Sequence, residues 1–119
     1  MKNLAAIHDF ATGTLEVPMV LVLYPRAYQY SDRETPKNWE ARAYETRGPF
    51  VREPFRYFEE VADQLPYPLV NLLPAFETSK TFPLFLEDDP HWNREGARLA
   101  ARTAAKAIHR LGLIPCENP

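Results

Sequence analysis

The sequence predicts an α/β fold with a short parallel sheet. Two segments, VPMVLVLYP at 17–25 and PLVNLLP at 68–74, are brief and apolar, the first continuously so, and carry prolines at their edges. Such runs suit strands covered by helices on both faces, as in parallel sheets. Between and around them lie stretches of helical period, giving the order α-β-loop-α-β-α. With 119 residues, 45% of them hydrophobic, the chain can build one packed core, and no repeat or linker divides it.

The first helix is expected over 2–12, where Leu4, Ile7 and Ala11 share helical spacing and Gly13 follows as a stop. The segment 26–47 is polar and aromatic without a sustained period, and so long a connection in a compact domain usually serves a function. A second helix is expected over 53–65. Phe55, Phe58, Val61, Ala62 and Leu65 form its apolar stripe, Arg56, Glu59, Glu60 and Asp63 face water, and Pro54 suits the first turn. The last helix opens at Asn93, a good N-cap, with Glu95 favouring its first turn. Ala97, Ala100, Ala101, Ala104, Ile108 and Leu111 form its expected buried stripe, His109 and Arg110 complement its C-terminal dipole, and Gly112 ends it.

Charge and cysteine content exclude several function classes. A formal net charge of −2 offers no basic surplus for nucleic acid. No apolar run approaches the roughly 18 residues of a membrane span. The first residues, MKNLAAIHDFATGT, lack the clean apolar stretch of a signal peptide, so the chain as written reads as soluble and cytoplasmic. The lone Cys116 rules out an intrachain disulfide and a multi-cysteine zinc site, and it is expected to be inert.

The chemistry concentrates in LEDDPHWN, just before the last helix. Leu84, Phe85 and Leu86 anchor the segment, and Asp88, Asp89, Pro90 and His91 lie outside the regular helix. A carboxylate three residues before an imidazole can fold back onto Nδ1, leaving Nε2 free as a general base. Asp88 and His91 have that spacing, which is the lower half of a Ser-His-Asp triad. The bland alternative is a capping loop whose polar groups only satisfy backbone amides. Asp88, Asp89 and His91 could also ligate zinc or manganese, but no second cluster supplies a further ligand, so neither metal nor cofactor is expected. Trp92 is expected to pack under the turn, and His8 to be a solvated or capped histidine. In the loop YPRAYQYSD, Arg26 and Tyr28 either wall a substrate, with Arg26 holding an anionic group, or belong to a surface loop.

The pattern D-x-x-H-x-N-x-x-G, here Asp88, His91, Asn93 and Gly96, resembles the last block of the SGNH (GDSL-like) hydrolases, and the order of elements resembles the second half of that fold. The resemblance implies a three-layer α/β/α sandwich, ester hydrolysis or O-acyl (acetyl) transfer on small esters or acylated carbohydrates, His91 as general base and Asp88 as its orienting partner. The family's nucleophile stands in an N-terminal G-D-S motif, and its oxyanion-hole glycine and asparagine in two further blocks. This chain has no G-D-S, and its two serines, Ser31 and Ser79, sit in no strand-to-helix turn. Residues 1–119 are therefore expected to form a single partial domain, the C-terminal half, carrying the base without the nucleophile. The alternative is a non-enzymatic remnant or interaction module. The missing strands would leave 17–25 as an open edge, prone to self-association.

Overall fold

A computed structural model of the chain describes residues 2–34 and 37–114. Cys116 lies outside the described residues. The order is α1 (Lys2–Gly13), β1 (Leu21–Leu23), α2 (Ala27–Tyr30), α3 (Glu40–Ala43), α4 (Pro49–Glu60), a 3-10 turn (Ala62–Gln64), β2 (Leu69–Asn71), α5 (Leu73–Glu77) and α6 (Arg94–Arg110). The fold is α/β, as the apolar segments predict. β1 and β2 pair in parallel, with Leu21 opposite Leu69, Val22 opposite Val70 and Leu23 opposite Asn71. Among the described residues, no further strand joins this sheet.

Both strands are shorter than their apolar runs. Val17 is exposed and lies before the ladder. At the far end of the second run, Asn71 Oδ1 accepts the Leu73 N–H at 2.9 Å, which turns the chain into α5, so Leu72 and Leu73 are core residues outside the strand. Leu72, Phe76 and Leu84 are almost wholly buried, and each contributes roughly 1.5–3 kcal/mol of hydrophobic burial. Around them pack Ala27, Tyr30, Phe55, Val70, Leu73, Phe85 and Ala100.

Several sequence expectations shift. α4 begins at Pro49, so Pro54 lies inside the helix and not in its first turn. Of its apolar stripe only Phe55 is fully buried, and the helix stops at Glu60 before the 3-10 turn. In α6 the covered side runs through Gly96, Leu99, Ala100, Thr103, Ala104, Ala107 and Ile108, while Ala97, Ala101 and Leu111 are exposed. The covered face is rotated by roughly a sixth of a turn from the expected stripe, because alanines occur all round this helix and mark no face by themselves. Gly112 ends it with φ +66°, a conformation that favours glycine. α1 buries no residue: Ile7 and Phe10 are exposed, and His8 leans on the Tyr67 ring with centroids 5.5 Å apart.

The described parts of the polar connection 26–47, residues 26–34 and 37–47, are not loose loops. They form α2 and α3 and bury Ala27, Gln29, Tyr30, Glu34, Asn38 and Glu40. Their polar side chains are inside because each finds a partner. Gln29 Nε2 donates to the Val51 carbonyl at 2.7 Å, and the Tyr30 hydroxyl donates to Glu34 Oε1 at 2.9 Å.

Candidate active site

The segment 84–93 doubles back on itself. The Asn93 N–H donates to the Leu84 carbonyl at 2.9 Å and the Leu86 N–H donates to the His91 carbonyl at 3.0 Å, closing an antiparallel bridge between Phe85 and Trp92. Leu84 and Phe85 are buried and Leu86 is exposed, so the loop is rooted by two of the three apolar residues. Asn93 does more than cap. Its Oδ1 accepts the N–H groups of Glu95 and Gly96 at 2.9 and 3.0 Å, and its Nδ2 donates to the carbonyls of Pro83 and Phe85 at 2.7 and 3.2 Å. Gly96 must lack a side chain, because a Cβ there would collide with the Leu84 carbonyl. This one side chain and this one glycine bind the start of α6 to the root of the loop.

At the tip, the carboxylate on His91 Nδ1 is that of Asp89 and not that of Asp88. Asp89 Oδ1 also accepts the His91 backbone N–H at 2.8 Å. This is an Asx turn, which Asp-Pro favours, and it places the same oxygen beside the imidazole two residues on. The Asp-Pro pair was the available signal for Asp89; the three-residue spacing favoured Asp88 and missed it. The His91 N–H and then its imidazole hold the Asp89 carboxyl below its ordinary value of 3.8, and the Arg26 charge acts in the same direction. An ionised carboxylate can only accept, so Nδ1 is the ring nitrogen that donates to Asp89, and Nε2 lies outside this contact. The His91 side chain is 77% exposed, so Nε2 is open to an incoming group.

Asp88 faces elsewhere. Its carboxylate helps to raise the pKa of Lys37, whose main cause is the 2.8 Å ion pair with Glu87, and its carbonyl receives a long 3.5 Å contact from Asn38 Nδ2.

A cavity of about 240 Å³ opens beside His91, lined by Tyr24, Arg26, Phe85, Pro90, His91 and Trp92. Tyr24 and Arg26 leave the C-terminal end of β1, the end at which open parallel sheets bind ligands. Arg26 is fixed there by Glu40: its Nη2 and Nε donate to Glu40 Oε1 at 2.7 and 3.2 Å. Its Nη1 makes no hydrogen bond within the described residues. Glu40 is 5% exposed and its Oε2 is buried without a hydrogen-bond partner among the described residues. Trp92 packs edge-on to Tyr24 at 5.2 Å and against Phe76 at 5.7 Å, so it joins the pocket wall to the core.

The structure therefore brings Arg26 and His91 to one cavity and leaves Tyr28 outside it. Tyr28 stacks on Tyr44 with centroids 4.5 Å apart, and burial, with the Glu40 charge behind it, raises its phenol pKa. Ser31 and Ser79 are also elsewhere, in a polar cleft with Arg33 and Lys80. Their hydroxyls accept from the Arg33 N–H at 3.2 Å and the Thr81 N–H at 3.1 Å. Among the described residues, no group of three or more His, Cys, Asp or Glu side chains is placed to hold a metal ion, and no helix is long and apolar enough to cross a membrane.

A family model for the SGNH hydrolase-like domain of the acetyltransferase AlgX matches residues 19–117. No curated protein and no solved structure matches the chain. The match takes in both strands, the cavity and the whole of the His91 loop, and the chain belongs to the AlgX family of SGNH hydrolase-like domains.

Proposed function

We propose that these residues form the base-carrying part of an acyl-transfer site acting on O-acyl esters, acetyl esters above all. The observation that carries the reading is the pairing of His91 Nδ1 with Asp89 at the edge of a cavity on the C-terminal end of β1. In this reading Nε2 takes the proton of a serine hydroxyl as its oxygen attacks the acyl carbonyl. Asp89 holds the ring in that tautomer and stabilises the imidazolium. The same proton then passes to the departing alkoxide, and the acyl-serine is resolved by water or by an acceptor hydroxyl. Arg26, fixed by Glu40, walls the cavity and is placed to meet an anionic part of the substrate. Asp88 remains the alternative orienting carboxylate, and it would have to turn towards Nδ1 to serve.

Neither Ser31 nor Ser79 lies at the cavity, so the nucleophile and the oxyanion donors would come from polypeptide beyond the described residues. The free edge of β1 is, in the same proposal, where the rest of the sheet or a second copy of the chain adds. A non-enzymatic module is the second reading, favoured by the same absence of a serine near His91.

The test is ester hydrolysis, with p-nitrophenyl acetate as probe. The 119-residue chain should act no faster than free imidazole. The polypeptide that also carries the nucleophile should act and should lose roughly 10³-fold or more on His91→Ala. Full activity of His91→Ala would end this reading. Turnover by the chain alone that Ser31→Ala abolishes would make Ser31 the nucleophile.

A further inference from the structure

Glu34 is 2% exposed. A carboxylate removed from water costs several kcal/mol unless hydrogen bonds replace its hydration. Glu34 finds three donors: Tyr30 Oη at 2.9 Å and the Leu84 N–H at 2.8 Å, both to Oε1, and the Phe85 N–H at 3.3 Å to Oε2. Burial, and then the Glu34 charge, push the Tyr30 phenol far above its ordinary value, so this donor keeps its proton. The other two donors are backbone amides fifty residues away, at the root of the His91 loop. One edge of that root pairs with residues 91–93 through the Phe85–Trp92 bridge. Its Leu84 and Phe85 amides both go to the two oxygens of the Glu34 carboxylate.

The same segment reaches the site twice more. Asn38, 1% exposed, accepts the Glu40 N–H at 2.8 Å on Oδ1 and makes the contact to the Asp88 carbonyl, while Glu40 fixes Arg26. Glu34, Asn38 and Glu40 thus touch the root of the loop, its tip and the cavity wall.

We propose that Glu34 is a positioning residue of the site: by holding the Leu84 and Phe85 amides it sets the register in which Asp89 meets His91. This rests on the reading of His91 as the base. Glu34 touches neither the cavity nor the imidazole, so its action is through the loop alone.

The test is 15N NMR on the full 119-residue chain, comparing the parent with Glu34→Gln and Tyr30→Phe. Gln keeps the shape and one acceptor but turns an NH₂ group towards a backbone N–H. Relative to the amides of β1 and β2, Leu84 and Phe85 should lose about tenfold in exchange protection. The His91 ring should move from the Nδ1–H tautomer towards the mixture of free imidazole. Tyr30→Phe, which keeps both amide bonds, should move the same signals in the same direction by less. It also decides the matter if Glu34→Gln does not fold.

Loss of amide protection with the His91 tautomer unchanged would overturn the inference, and so would an equal loss at every amide, or a Tyr30→Phe chain indistinguishable from the parent. A parent already showing the free-imidazole mixture would remove the Asp89–His91 pairing and with it both this inference and the base reading. A tautomer shift in Glu34→Gln beside full activity of His91→Ala would leave Glu34 positioning a ring that is not the base.

Discussion

The loop 84–93 and helix α1 are opposites. α1 has 12 residues of regular helix and buries none of them. The loop has one bridge of regular structure and is held on every side: by Glu34 at its root, by Asn93 and Gly96 at its return and by the Asx turn of Asp89 at its tip. Local hydrogen bonding makes a helix; it does not fix that helix to anything, and a helix this short is marginal in water without a packed face. An irregular segment becomes rigid when each backbone group finds a partner elsewhere in the chain. A site that must present an imidazole in one orientation is better built on the second kind of segment.

The sharpest way to break this contrast is one substitution made in both regions. Gly96→Ala should cost roughly 2–4 kcal/mol, read from urea unfolding, because the new methyl meets backbone that cannot yield. If Gly96→Ala is tolerated, the loop is not seated against α6 as described.

Asn93→Ala should come next, at about 1–2 kcal/mol, since it removes the cap and leaves the Pro83 and Phe85 carbonyls without their donor. Its effect should exceed that of Thr12→Ala in α1, where only a hydroxyl-to-carbonyl bond to His8 is lost.

Acidification should act at the tip. The Asp89 carboxyl is held below its ordinary 3.8 by His91. Its contact is therefore complete above that value and is lost as pH falls through the lower folded value. The His91 amide resonance should report this midpoint, and Asp89→Asn should abolish it while Asp88→Asn leaves it in place. Loss of the midpoint in Asp88→Asn instead would return the orienting role to Asp88.

The smallest effect is expected at Gly13. A Cβ there meets nothing within 4 Å, so Gly13→Ala should be neutral or stabilise by up to about 1 kcal/mol through helix propensity.

Much of this contrast was legible in the sequence. Asn93, Glu95 and Gly112 mark the bounds of α6 by capping chemistry that acts within a few residues. The two apolar runs announce a parallel pair, though not that all its residues except Val70 would be only half-buried, nor that Asn71 would end the second strand by taking the Leu73 N–H. What stayed hidden is long-range. Glu34, Asn38 and Glu40 look like solvated residues in a polar stretch, and only partners up to 51 residues away bring them inside. Asp89 was hidden differently: two adjacent acids offer two spacings to His91, and a side-chain turn, not periodicity, chooses between them.

Trp92 gives the site an optical property. The chain has two tryptophans. Trp39 is 56% exposed, whereas Trp92 is wedged between Tyr24 and Phe76 next to His91. Their emission should differ in colour, red-shifted from Trp39 and blue-shifted from Trp92. Iodide should quench the first more than the second. With Trp39 dark, the residual fluorescence comes from the wall of the cavity, so occupancy of the site can be followed by steady-state intensity without attaching a dye.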